Sequence, residues 1–274
     1  MYRLPATTYL DEALICKFIK ANILTAERHN RLRAYYEGKH DILNRWYADP
    51  SKPNNKVVNP FPKYITDSYV GYFMGTPCQY DADDEDVAAA IADITEYNDD
   101  AAENSALAKI ASVNGVAVEL LYIDSDKQIR YKASEGEHVL IYDDTIDAEL
   151  LWAIRYYAVD QVQDNTTEWR VDVYGMTDVR HYKSVNPSAY LELVSVEPHY
   201  FGLVPVAVYR NNAEEQGTEG LLRNESQRDC YDGGNQCPEG ECKVGVTFDN
   251  ACASAVFAFF NSAFLAPAGG ADGA

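Results

Sequence analysis

The hydrophobic pattern changes period once, at Gly115. Before it, apolar residues recur at three- and four-residue steps. After it they alternate. Helices first and strands later predicts an α+β fold, not a wound βαβ sheet, which needs a helix between parallel strands. Thr8, with Asp11 three residues on, has the form of a capping box. Leu14, Ile15, Phe18 and Ile19 share a face of the helix it opens. A second helix is predicted from Thr25 through Tyr36, with Gly38 where a left-handed residue is wanted. Asp49 to Pro62 reads as an extended link. Asn59 and Pro60 read as N-cap and first residue of a third helix, with Ile65, Tyr69, Tyr72 and Phe73 as its apolar stripe and Gly75-Thr76-Pro77 as its end. Val87, Ala90, Ile91 and Ile94 mark a fourth helix. Asn98-Asp99-Asp100 caps a fifth, which runs through Leu107 and Ile110 to Asn114.

Strands are predicted at Val116–Ile123, Gln128–Lys132, His138–Tyr142, Leu150–Val159, Glu168–Tyr174, Val179–Ser184, Tyr190–Val196 and Pro205–Tyr209. The connections between them are short, so the sheet is expected to be mainly antiparallel.

Charge divides the 274 residues unevenly. Residues 1–63 hold 11 basic and 6 acidic side chains. Residues 64–217 hold 9 basic and 29 acidic ones, and Asp81 to Glu103 has ten acids and no base. The net charge of −20 argues against gripping nucleic-acid phosphates or docking on anionic membranes. Met1 to Leu14 lacks the apolar core of a signal peptide.

A second break falls near residue 217. Residues 218–274 contain four of the six Cys, half of the 16 Gly, five of the nine Phe, no Ile and one of the 21 Tyr. Cys230, Cys237, Cys242 and Cys252 lack the paired spacing of a zinc ribbon. Cys16 and Cys78 read as core thiols. Ala251–Ala268 is apolar but is interrupted by Asn261-Ser262, so no membrane anchor is expected.

No phosphate-binding glycine loop, G-x-S-x-G elbow or H-E-x-x-H motif occurs, and the five His are scattered. Asp143, Asp144 and Asp147 have the chemistry to hold a hard cation, and an acidic metal-dependent hydrolase built on them is the catalytic alternative. An Asp-rich hairpin turn accounts for them better and is the favoured reading. A generic α+β interaction module is the other alternative. The favoured expectation has no catalytic residue, cofactor or metal.

Several blocks together resemble one family. They are Tyr35-Tyr36-Glu37-Gly38-Lys39-His40-Asp41, Asn54-Asn55-Lys56-Val57-Val58-Asn59-Pro60-Phe61-Pro62-Lys63-Tyr64, Gly71-Tyr72-Phe73-Met74-Gly75-Thr76-Pro77, Asn114-Gly115, Ala153-Ile154-Arg155, and Pro205 through Asn211-Asn212 to Gly217. Over roughly residues 8–217 the chain resembles SPP1-type (Gp6-like) phage portal proteins. Tyr36, Gly38, Asn54, Asn55, Lys56, Asn59, Pro60, Phe61, Tyr64, Gly71, Gly75, Pro77, Gly115, Arg155, Pro205, Asn211 and Asn212 carry the resemblance.

The resemblance implies a structural ring subunit, typically one of a dodecamer, at a capsid vertex of the virion, assembled in the host cytoplasm. The implied partners are other copies of the chain, the terminase large subunit, scaffold, capsid and neck proteins. Double-stranded DNA passes through the channel without sequence-specific binding, and no membrane is involved. The expected division is an N-terminal helical segment with its link (1–58), a wing-like α+β domain (59–217) and an aberrant, disordered or poorly packed tail (218–274). The lost resemblance coincides with the compositional break, which points to a frameshift or chimeric join near Gly217. Without the family's stem, the chain alone is expected not to form a working portal.

Overall fold

The computed structural model describes residues 2–47, 53–162 and 165–211. The tail set apart from residue 218 onward lies outside the described residues, as does Asn212.

Five helices precede the main run of strands, as the change of period predicts. Helix α1 spans Glu12–Ala21 and α2 spans Ile23–Tyr36. Helix α3 spans Phe61–Phe73, α4 Glu85–Asn98 and α5 Asp100–Asn114. Two expected caps move. Asp11, not Thr8, caps α1, its side chain accepting from the Leu14 N–H at 2.8 Å. Pro60, not Asn59, is the N-cap of α3, and the second proline of the pair, Pro62, occupies the first turn, where a missing N–H costs nothing. The fourth helix ends at Asn98 and Asp99 is left-handed between α4 and α5, so the two helices share one junction.

The strands form two sheets. The larger contains β1 (Tyr2–Leu4), β4 (Glu137–Asp143), β5 (Leu150–Gln161), β6 (Thr166–Tyr174), β7 (Asp178–Ser184) and β8 (Glu192–Pro198), in the order β1-β4-β5-β6-β7-β8. The smaller contains β2 (Val116–Ile123), β3 (Ile129–Ala133) and β9 (Val206–Arg210), in the order β3-β2-β9. Every pairing is antiparallel except β1 with β4. Strand β1 was not anticipated. Three residues carry no readable period, and their pairing partner lies far along the chain.

The register aligns the core. Val139 opposes Ile154, and Ile154 opposes Val173. One pleat on, Tyr156 opposes Val171, which opposes Tyr182. These six are buried on one face of the large sheet, and Leu10, Ile15 and Ile19 of the N-terminal segment roof them. The other face meets the small sheet, where Ala153 and Tyr174 pack with Val118, Leu120 and Val206. Helix α5 covers the small sheet through Leu107 and Ala111 against Ala117 and Ala133. Alternation puts Ile154 and Ala153 on opposite faces of β5, so this one strand is covered from both sides.

Ile154 is fully buried at the centre of this stack. Ile154→Ala is expected to cost roughly 2–5 kcal/mol, the usual range for emptying such a site. Urea denaturation measures it, and a loss of under about 1 kcal/mol would show that α1 collapses into the cavity.

Candidate functional site

Tyr36 ends α2 at a corner where three helices meet. Its hydroxyl donates to Asp67 Oδ1 on α3 at 2.7 Å, and Lys63 Nζ donates to the same hydroxyl at 3.4 Å. Lys63 and Lys109, from α3 and α5, stand 4.8 and 5.0 Å from the ring centroid, within cation–π range. The Asp67 carboxyl is held below its ordinary value, first by the Tyr36 hydroxyl and then by Lys63. Gly38 follows with φ +80, a conformation that side chains disfavour.

The link into α3 is tied back to the end of the preceding 3₁₀ turn. Arg45 donates to Asn54 Oδ1 at 3.2 Å and to the Asn55 carbonyl at 2.9 Å, while Asn54 Nδ2 donates to the Arg45 carbonyl at 3.1 Å. Beyond this clasp, Lys56, Asn59, Pro60, Phe61 and Tyr64 are exposed. So are Gly71, Gly75 and Pro77 at the far end of α3. A Cβ on Gly75 would stand 2.5 Å from the Gly71 carbonyl oxygen, so the turn closing α3 admits no side chain there. The predicted stripe of α3 divides: Tyr69 and Phe73 are half-buried and stack at 5.6 Å, whereas Ile65 and Tyr72 are exposed.

The remaining signature residues hold the sheets. Gly115, at φ +85, turns α5 into β2, and its carbonyl accepts from the Asn211 N–H at 3.1 Å. Buried Pro205 accepts from the Leu121 N–H at 2.9 Å. Arg155 donates to the Glu135 carbonyl at 3.0 Å and to Asp172 at 3.4 Å, with its guanidinium 4.1 Å from the Tyr157 ring. Asp172 also meets His181 Nδ1 at 2.7 Å, which raises the imidazole's pKa against the opposing pull of burial.

Besides Asp100 and Asp172, two more carboxylates are buried, Glu137 and Glu119, and neither is singled out by the sequence. Glu137 on β4 is held by Arg33 and by His29, whose Nδ1 lies 2.9 Å away, and this pair of contacts locks α2 to the large sheet. Glu119, in the middle of β2, is 1% exposed, and its Oε2 has no hydrogen-bond partner. Burial pushes its carboxyl up to about 7, with Asp100 and Glu103 adding to the shift. Asp100 is itself engaged by Tyr131, Tyr80 and Asn104, at 2.7–3.2 Å. A single acid inside the run Val-Ala-Val-Glu-Leu-Leu-Tyr-Ile was the available signal.

Asp143, Asp144 and Asp147 do not converge on a ligand. The Asp143 carboxylate accepts from the Asp144 N–H and the Thr145 hydroxyl, at 2.7 and 2.8 Å, closing its own turn. Asp144 and Asp147 face solvent. Among the described residues no group of His, Cys, Asp or Glu is placed to hold a metal ion, and no helix is long and apolar enough to cross a membrane. The apolar stretch Ala251–Ala268 lies outside the described residues.

Residues 17–232 match the family described as phage portal protein, SPP1 Gp6-like. The match runs 15 residues beyond Gly217, the position at which the resemblance is expected to end. The portal protein of Bacillus phage SPP1 is 21% identical over 230 residues, covering 77% of this chain. The chain spans 44% of that relative's length.

Glu119 sets a pH dependence. Its carboxyl titrates near 4.5 when unfolded and at about 7 when folded, so ionisation costs the folded state progressively as pH rises through that window. Glu119→Gln is therefore expected to be more stable than the parent by about 3 kcal/mol at pH 8 and by about 1 kcal/mol or less at pH 5. Denaturant midpoints at the two pH values measure the difference; an equal gap at both would show that folding does not raise the Glu119 pKa.

Proposed function

The chain belongs to the SPP1 Gp6-like phage portal protein family, and on that premise we propose that it is a structural subunit of a tailed-phage portal ring, the capsid-vertex conduit through which double-stranded DNA is packaged and to which the tail is joined. The observation that carries this reading is the family match over residues 17–232. The proposed role is mechanical, with no catalytic step. Other copies of the chain are the first partners. The terminase large subunit, scaffold, capsid and neck proteins follow by likeness to the family. Assembly takes place in the host cytoplasm, and the finished ring lies in the virion.

The charge supports a conduit that does not hold its cargo. A net −20 repels phosphates, so DNA can slide past without being gripped. The wing-like division at residues 59–217 and the join near Gly217 belong to the same proposal. Nucleotide sequence around codon 217 tests the join: a stem-like helix in another reading frame supports it, and the absence of one removes it.

The full chain is expected to self-associate head to tail into arcs or irregular assemblies whose solution mass rises with concentration; uniform rings with an open bore would overturn the expectation that this chain alone forms no working portal. It is also expected not to retain duplex DNA at physiological salt. A mass that stays at 30.6 kDa over the whole concentration range would overturn the ring reading.

A further inference from the structure

Helix α3 is apolar on two sides but buried on only one. At 100° per residue, Thr66, Tyr69, Val70 and Phe73 point one way and Phe61, Tyr64, Ile65 and Tyr72 the other. The first set packs inward: Thr66 is the helix's buried residue, and its hydroxyl lies 3.4 Å from Ser112 Oγ on α5. The second set is more exposed, Phe61 at 46%, Tyr64 at 69% and Tyr72 at 78%. A helix that is apolar nearly all round is ordinarily covered all round. The stripe belongs to the segment of the chain where bases outnumber acids, and Lys56, just upstream of it, is exposed.

Helix α4 presents the opposite character. Ile91 and Asn98 face inward. The outward side is floored by Ala89 and Ala92 and rimmed by Glu85, Asp86, Asp93 and Glu96, all exposed, in a stretch without a single base. The two surfaces match in two respects. Large aromatic knobs meet a floor of alanine methyls. Tyrosine hydroxyls, which can donate, meet carboxylates, which when ionised only accept. The chain uses that last pairing repeatedly inside its own fold: Tyr36 with Asp67, Tyr97 with Asp124 and Tyr131 with Asp100, all at 2.7–2.8 Å.

We propose that the exposed stripe of α3 (Phe61, Tyr64, Ile65 and Tyr72) docks on the acidic, alanine-floored face of α4 of a second copy of this chain. The contact joins two different surfaces of one chain, so it repeats from copy to copy and generates a ring or an arc. The inference rests on the proposed ring and assigns the faces that build it.

Solution mass of the full chain, measured for two variants and their mixture, tests it. Phe61→Ser/Tyr64→Ser removes the knobs, and Asp86→Lys/Asp93→Lys reverses the rim. Asp86 and Asp93 are solvent-exposed, so the second variant keeps the test valid if the first unfolds; circular dichroism checks both. Each variant alone is expected to lose the higher assemblies and fall to the monomer mass. Mixed in equal amounts, they are expected to reach twice that mass and stop, because each retains one intact face and only one productive pairing exists. If the parent self-associates and both folded variants do so equally well, the face assignment is wrong and the ring reading stands. If the parent stays monomeric, the ring reading fails and this inference with it.

Discussion

The structure depends on covering both faces of one strand. Ile154 and Tyr156 of β5 point towards the helix roof, and Ala153 points towards the small sheet. A six-stranded sheet with one open apolar face would be an aggregation hazard, and a three-stranded sheet alone would be marginal. Here each supplies the other's missing layer. The N-terminal residues Leu10, Ile15 and Ile19 are therefore part of the same core as strands far along the chain, and the short parallel pairing of β1 with β4 fixes that end in place.

Around this double cover, buried polar groups set the positions of the helices. Glu137, held by Arg33 and His29, fixes α2 against the large sheet. Asp100, held by Tyr131, Tyr80 and Asn104, fixes the start of α5 over β3. Breaking one partner of such a group strands a charge in low dielectric, which costs more than the contact itself returns. Glu119 differs, because its Oε2 finds no hydrogen-bond partner among the described residues. It lies under α5 beside Asp100 and Glu103, and the strain appears as a carboxyl that prefers to stay protonated up to about pH 7.

Local signals were legible and remote ones were not. The change of period at Gly115 marks the boundary between helices and strands, because periodicity is written within a few residues. Gly38 and Gly115 were readable for the same reason, since a left-handed residue at a helix end needs glycine wherever the rest of the chain goes. The capping of α1 was misplaced by three residues because Thr8 and Asp11 are both competent caps and only the helix axis chooses between them. The corner at Tyr36 had no sequence signal. Asp67 and Lys109 reach it from helices whose packing is decided by the whole fold. The signature residues were found by resemblance, and the fold sorts them into two kinds. Gly115, Arg155 and Pro205 hold the sheets together, whereas most of the run from Asn54 to Pro77 lies on the surface.

That division bears on why an acidic protein would keep a short basic, aromatic segment in the open. The core explains Ile15 or Val171 without reference to any other molecule. It does not explain Tyr64 or Tyr72, whose removal would empty no cavity in the isolated chain. Nor does it explain why the acids of α4 are gathered on one outward face without a base among them, a distribution that costs self-repulsion within the chain. On the proposed contact each surface meets the other. Because the two faces lie on different helices of the same chain, such a contact is heterologous, and the rotation between neighbours decides between a closed ring and an open arc.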